Sequence, residues 1–80
     1  MPETTLITLQ CPHEQMDLEL PLQTEISQWL PGLVRALGFR QGTAWLCSRG
    51  QALDPRYSLA DYGIWDGAIV NLEIQGGLKA

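Results

Sequence analysis

Lysine is almost missing from this chain. Five of its 80 residues are Lys or Arg; Lys79 is the only lysine, beside Arg35, Arg40, Arg49 and Arg56. Nine acidic residues set the net charge at −4 and the pI near 4.6. A domain so poor in positive charge would be repelled by phosphate backbones, which excludes nucleic acid as a partner. Histidine is single and cysteine occurs only twice, as Cys11 and Cys47 with no CxxC. One imidazole and two scattered thiols do not make a four-ligand set, so no metal and no cofactor are expected. His13 beside Pro12 reads as a turn residue, and no Ser/His/Asp or Cys/His set stands ready for nucleophilic catalysis. No apolar run approaches the ~18 residues that span a bilayer. The opening Met1-Pro2-Glu3-Thr4 is neither basic nor apolar, so no secretory leader is expected. The two cysteines read as thiols of a reducing compartment, the cytoplasm, rather than as a disulfide.

What the chain does contain is a globular mixture, 45% apolar, with no internal repeat. It is long enough for one core and too short to spare much for an enzyme's pocket. Thr4 to Cys11 is rich in β-branched residues and places Thr5, Ile7, Leu9 and Cys11 on one face of a strand. Pro12-His13-Glu14 breaks the run. Met16-Asp17-Leu18-Glu19-Leu20 then alternates apolar and acidic, which predicts a second strand with Met16, Leu18 and Leu20 inward. A helix follows. Ile26, Leu30, Leu33, Val34 and Leu37 form one stripe at helical period, and Gly38 is a stop. Thr24 or Ser27 is the expected N-cap. Starting from Thr24, Pro31 removes an interior hydrogen bond; starting from Ser27, it falls in the first turn. Trp29 lies off the stripe.

Ala44 to Ser48 reads as a third strand, Arg49-Gly50 as its turn and Gln51 to Leu53 as a short fourth strand stopped by Asp54-Pro55. Ser58 to Gly63 reads as one helical turn, and Trp65-Asp66-Gly67 as a turn needing glycine. Ala68 to Ile74 is the last strand, with Val70, Leu72 and Ile74 inward. Asp54, Asp61 and Asp66 read as caps of turns. The order is ββαββ, a short helix, then β.

Leu59-Ala60-Asp61-Tyr62-Gly63-Ile64 is close to the Leu-Ser-Asp-Tyr-Asn-Ile of ubiquitin. With the element order, it gives a chain that resembles the ubiquitin-like β-grasp family over Thr4 to Ile74. The fold so implied is α+β: a mixed sheet of 4-5 strands wrapped on one helix, with residues 1–74 as the domain and 75–80 as a tail. Gly50-Gln51-Ala52-Leu53-Asp54-Pro55, Ser58-Leu59-Ala60, Trp65-Asp66-Gly67 and the early proline of Trp29-Leu30-Pro31-Gly32-Leu33 are more similar still to the bacterial YukD/EsaB branch. That branch includes cytosolic domains associated with type VII secretion.

After Ile74 come Gln75-Gly76-Gly77-Leu78-Lys79-Ala80. Ubiquitin-like modifiers act through a C-terminal glycine, whose missing Cβ lets the carboxylate thread a narrow channel. The resemblance therefore implies a modifier precursor. A processing peptidase would cut between Gly77 and Leu78, and activating and conjugating enzymes would pass Gly77 to a target. The pair comes slightly sooner after the strand than in ubiquitin. Trimmed, the chain would carry no lysine and would be added singly. The alternative is an accessory that binds secretion-machine components without conjugation. A sulfur carrier, with Gly77 as thiocarboxylate, is third, and glycine pairs are also common in frayed tails. By the same resemblance, ubiquitin's recognition patch falls near Cys47 and Glu73, so Trp45 and Cys47, rimmed by Arg49 and Glu73, are the candidate binding residues. Trp45 suits core and patch equally, whereas Trp65 reads as completing the core.

Overall fold

The computed structural model describes residues 3–39 and 43–75. Strands β1 (Thr4–Gln10) and β2 (Gln15–Pro21) form an antiparallel hairpin; helix α1 (Ile26–Ala36) follows, then β3 (Thr43–Ser48), β4 (Gln51–Ala52), a 3₁₀ turn (Ala60–Tyr62) and β5 (Ile69–Gln75). The sheet order is β2-β1-β5-β3-β4, with β1 and β5 parallel at the centre and the other pairs antiparallel. This is the expected α+β arrangement. β5 extends to Gln75, which pairs with Thr43, so the strand takes in a residue assigned to the tail. Gly76, Gly77 and Leu78 lie outside the described residues.

The alternation read from the sequence sets the faces. Thr5, Ile7 and Leu9 of β1, Leu20 of β2, Leu46 of β3 and Val70 and Leu72 of β5 are buried, and the apolar ones make one core with Ile26 and Leu30 of α1. Each apolar side chain so buried contributes roughly 1.5–3 kcal/mol. Met16, Leu18 and Ile74, also expected inward, are only half-buried, as are Leu33, Val34 and Leu37 of the helical stripe, all packed against that core. Leu53, Leu59 and Ile64 close it from the long β4–β5 connection.

The helix begins at neither expected cap. Its N-cap is Glu25, and no side chain bonds the first turn. The orphan N–H groups find partners from afar: Ile26 donates to the Tyr57 carbonyl at 3.0 Å and Ser27 to the Pro55 carbonyl at 2.9 Å. A tertiary contact thus replaces the local cap. Thr24 contributes only its carbonyl, which accepts from Trp29 Nε1 at 3.3 Å. Pro31 lies inside the helix, where it cannot donate to the Ser27 carbonyl. Ser27 is exposed, so water can take that place. At the other end Gly38 adopts φ 95°, Gly38 N–H donates to Arg35 O, and Phe39 N–H to Val34 O. Those two bonds make a Schellman motif and account for the glycine stop.

Cys11 and Cys47 are half-buried thiols. No helix among the described residues is long and apolar enough to cross a membrane.

Candidate functional site

The face of the sheet turned away from the core carries the expected residues. In β3, buried Leu46 turns Trp45 and Cys47 to the opposite side. Trp45 lies directly across from Glu73, and Cys47 from Asn71 and Ala52. The row continues through Gln10 to Gln15, giving a band of amides across the sheet. Arg49 follows in a two-residue turn with φ 54°, and Gly50 has φ 78°. Two positive φ values match the right-handed twist of a hairpin, which favours Asn-Gly there and makes Arg49 a strained choice. Arg49 is exposed. Trp45, Cys47, Arg49 and Glu73 therefore do share one surface, with Trp45 and Cys47 half-buried and Glu73 exposed.

The more exposed apolar side chains sit elsewhere on this face and beside it. Leu6 is 48% exposed, Ile69 55% and Trp65 54%. Leu6 and Ile69 are on outward positions of the paired central strands β1 and β5, with Thr8 opposite Ile69, so they are diagonal neighbours. Trp65 departs from its expected place in the core. Ile64 turns inward, and the turn then carries Trp65 out to solvent. Ile69 and Leu6 are masked in the sequence by the inward set of their strands, which dominates the alternation. The detectable signal is an apolar residue in the polar phase of an alternating strand.

Asp66 fixes this end of the face. Its Oδ1 accepts from the Leu6 N–H and from the Thr5 hydroxyl, both at 2.8 Å. Chiefly the Leu6 N–H, and then the Thr5 hydroxyl, hold its carboxyl below the usual aspartate range. Asp66 is thus a cross-link to β1 and not the cap of its own turn. Asp61 is the cap expected of it: it accepts from Ser58 N–H at 2.9 Å, while its own N–H donates to Ser58 Oγ at 3.2 Å, a reciprocal capping box. Asp54 accepts from Arg56 N–H and pairs with its guanidinium at 2.7 Å. That guanidinium lowers its pKa. Tyr62 Oη accepts from Asp54 N–H at 2.7 Å and, ring edge to face, meets Tyr57 at 6.2 Å.

A shallow depression of about 560 Å³ runs between the β3–β4 turn and the start of β5, lined by Arg49, Tyr62, Ile64, Ile69 and Asn71 among others. It joins the arginine of the expected patch to the exposed isoleucine. Such a surface suits adhesion: apolar centres, one exposed cation and a polar rim. Among the described residues no group of three or more His, Cys, Asp or Glu is arranged to hold a metal.

A five-stranded mixed sheet with one helix and this strand order is the ubiquitin-like β-grasp. Residues 5–72 match the family described as protein YukD of the WXG100 protein secretion system (Wss), and the chain belongs to that family. Among solved structures it is similar to the ubiquitin-like domain of EccD5 from Mycobacterium xenopi, at 23% identity, covering 92% of this chain and 97% of that one, TM-score 0.75. It is similar also to the ubiquitin-like domain of the Mycobacterium tuberculosis type VII secretion system protein EccD1, at 26% identity over 86% and 96%, TM-score 0.74. A chain of the MycP5-free ESX-5 inner membrane complex contains the same fold, at 15% identity over 99% of this chain and 23% of that one, TM-score 0.80. No curated protein gives a significant match.

Proposed function

We propose that the chain is a non-enzymatic docking component of a type VII secretion machine, working at its cytoplasmic side. It binds other components of that machine through the outer face of its sheet, with Ile69 and Leu6 as apolar contacts and Trp45, Cys47, Arg49 and Glu73 beside them. The match of residues 5–72 to the YukD family carries this reading. The exposed apolar residues on this face support it, because a small domain gains nothing for its own stability by leaving Leu6 and Ile69 in water. The test is genetic. Deleting the gene in its native cells should stop export of WXG100-type substrates, the wild-type gene should restore it, and an Ile69→Asp copy should not, although the variant folds normally by circular dichroism. Export unchanged by deletion would end this reading.

A second reading, the modifier precursor cut after Gly77, is supported by one feature: Gly76 follows directly on Gln75, the last residue of β5. It needs a peptidase, an activating enzyme and a conjugating enzyme; the family favours docking without conjugation. A sulfur carrier would use the same glycine. Intact mass spectrometry of the native protein separates the three: loss of Leu78-Lys79-Ala80 with species heavier by a target mass marks the modifier, a C-terminal thiocarboxylate the carrier, and a full-length, unattached chain the docking component.

A further inference from the structure

The sheet ends in two edges. β4 is two residues long, whereas β2 is seven, and β2 is the outermost strand on its side. Its register determines which backbone groups are open. The Leu22 N–H donates to Glu3 O and the Cys11 N–H to Glu14 O, so bonded pairs stand at both ends of the hairpin. Such pairs recur at every second residue of an antiparallel ladder. Leu20, Leu18 and Met16 therefore exchange bonds with Thr5, Ile7 and Leu9, their register partners. The N–H and C=O groups of Gln15, Asp17 and Glu19 point away from the sheet, and among the described residues no loop backbone bonds them. Pro21 is next in that outward series, where a missing N–H costs nothing and blunts one end of the edge.

The side chains give this edge a chemistry. On the outer face Asp17 accepts from the Thr8 hydroxyl at 2.7 Å and Glu19 from the Thr4 hydroxyl at 3.4 Å, which hold the two carboxylates in line along the strand. The one ion pair among the described residues, Arg56 with Asp54, lies elsewhere. On the helix side Met16 and Leu18 are only half-buried, leaving apolar surface that an added strand would cover. A second copy of this chain does not fit. In the two-fold antiparallel registers that use the length of β2, Asp17 falls opposite Asp17 or Glu19 of the other copy, and like charges directly opposite are destabilising.

We propose that β2 is a recognition edge for an extended segment of a partner protein in which apolar residues alternate with Lys or Arg. Its backbone pairs with Gln15, Asp17 and Glu19, its apolar residues lie beside Met16 and Leu18, and its cations sit across from Asp17 and Glu19 on the outer face. This surface is additional to the docking face and does not depend on the secretion reading.

The probe is a capped nine-residue peptide alternating Val and Lys, titrated into the full ¹⁵N-labelled chain and followed by amide shifts and hydrogen exchange. Two control peptides carry Glu for Lys, or Pro at the centre. The Val/Lys peptide is expected to give saturable shifts and slowed exchange at Gln15, Asp17 and Glu19, and neither control to do so. The Asp17→Lys/Glu19→Lys variant, altered only at exposed positions, should reverse the preference toward the Val/Glu peptide while its β5 signals stay unchanged. The proposal is overturned if the β2 amides do not respond to the Val/Lys peptide, or respond equally to the Glu peptide. It is also overturned if the Pro peptide binds as well, since charge alone and not strand pairing would then be at work. Every one of these results leaves the export experiment unaffected.

Discussion

Pro31 and Gly32 stand side by side inside α1, the two residue types of lowest helix propensity, and Gly32→Ala is the cleanest test of what they cost. Gly32 is inside the helix and exposed, and a Cβ built there meets nothing within 4 Å. It is also absent from the glycines with positive φ. Packing and backbone geometry therefore impose no cost on alanine, and the whole of the helix-propensity difference, about 0.8–1.0 kcal/mol, should appear as added stability. For a domain of this length that corresponds to a rise in Tm of roughly 4–8 °C. Its total stability is on the order of 4–12 kcal/mol, so the gain is readily measured. Pro31→Ala should act in the same direction. Restoring the bond to the Ser27 carbonyl is worth about 3 kcal/mol in a helix interior, less about 0.4–1 for the freedom returned to the unfolded chain, a net of about 2 kcal/mol. Thermal and urea denaturation followed at 222 nm measure both, with the urea slope unchanged. Because α1 presents this face away from the outer surface of the sheet, neither variant should impair export. A Gly32→Ala protein no more stable than wild type would refute the helix reading at that position. A stabilised Gly32→Ala protein that loses export would move the docking surface to the helix.

Two further predictions concern the outer face. The Asp66 carboxyl has a depressed pKa in the folded state, so the stability it contributes is fully present above the unfolded aspartate value, roughly pH 4, and is lost as pH falls through the lower folded value. The stability gap between wild type and Asp66→Asn, which keeps an acceptor and loses the charge, should therefore narrow between neutral pH and pH 3 in urea titrations; a pH-independent gap would refute the assignment. Arg49→Asn places a residue suited to positive φ in the β3–β4 turn and should stabilise the domain by on the order of 1 kcal/mol. If Arg49 is part of the docking rim, the same variant should export less, which would explain a strained arginine at that turn. Increased stability with full export would leave the arginine without a docking role.

Local patterns carried most of the fold. The alternation of Met16 to Leu20, the Ile26–Leu37 stripe and the Gly38 stop each depend on neighbours within a turn or two, and the structure returns them nearly unchanged. Long-range chemistry escaped. The α1 N-terminus is satisfied by the carbonyls of Pro55 and Tyr57, which no local cap rule registers, and Asp66 bonds a strand at the other end of the chain. The proposed docking face is half legible in the sequence. Trp45, Cys47, Arg49 and Glu73 came from the resemblance and do share a surface. Ile69 and Leu6 needed the register, because only the pairing of β1 with β5 brings them together. Aromatic bulk points Trp65 to the core, whereas its exposure is decided by Ile64 taking the inward position before it.

Site-specific photo-crosslinking in native cells tests the central claim most directly. A photoreactive residue at position 69 should yield an adduct with an identified component of the secretion machine, and the same residue at position 32, on the solvent side of the helix, should not. Adducts from position 32 alone, or none from position 69 while export proceeds, would contradict docking through the outer face of the sheet.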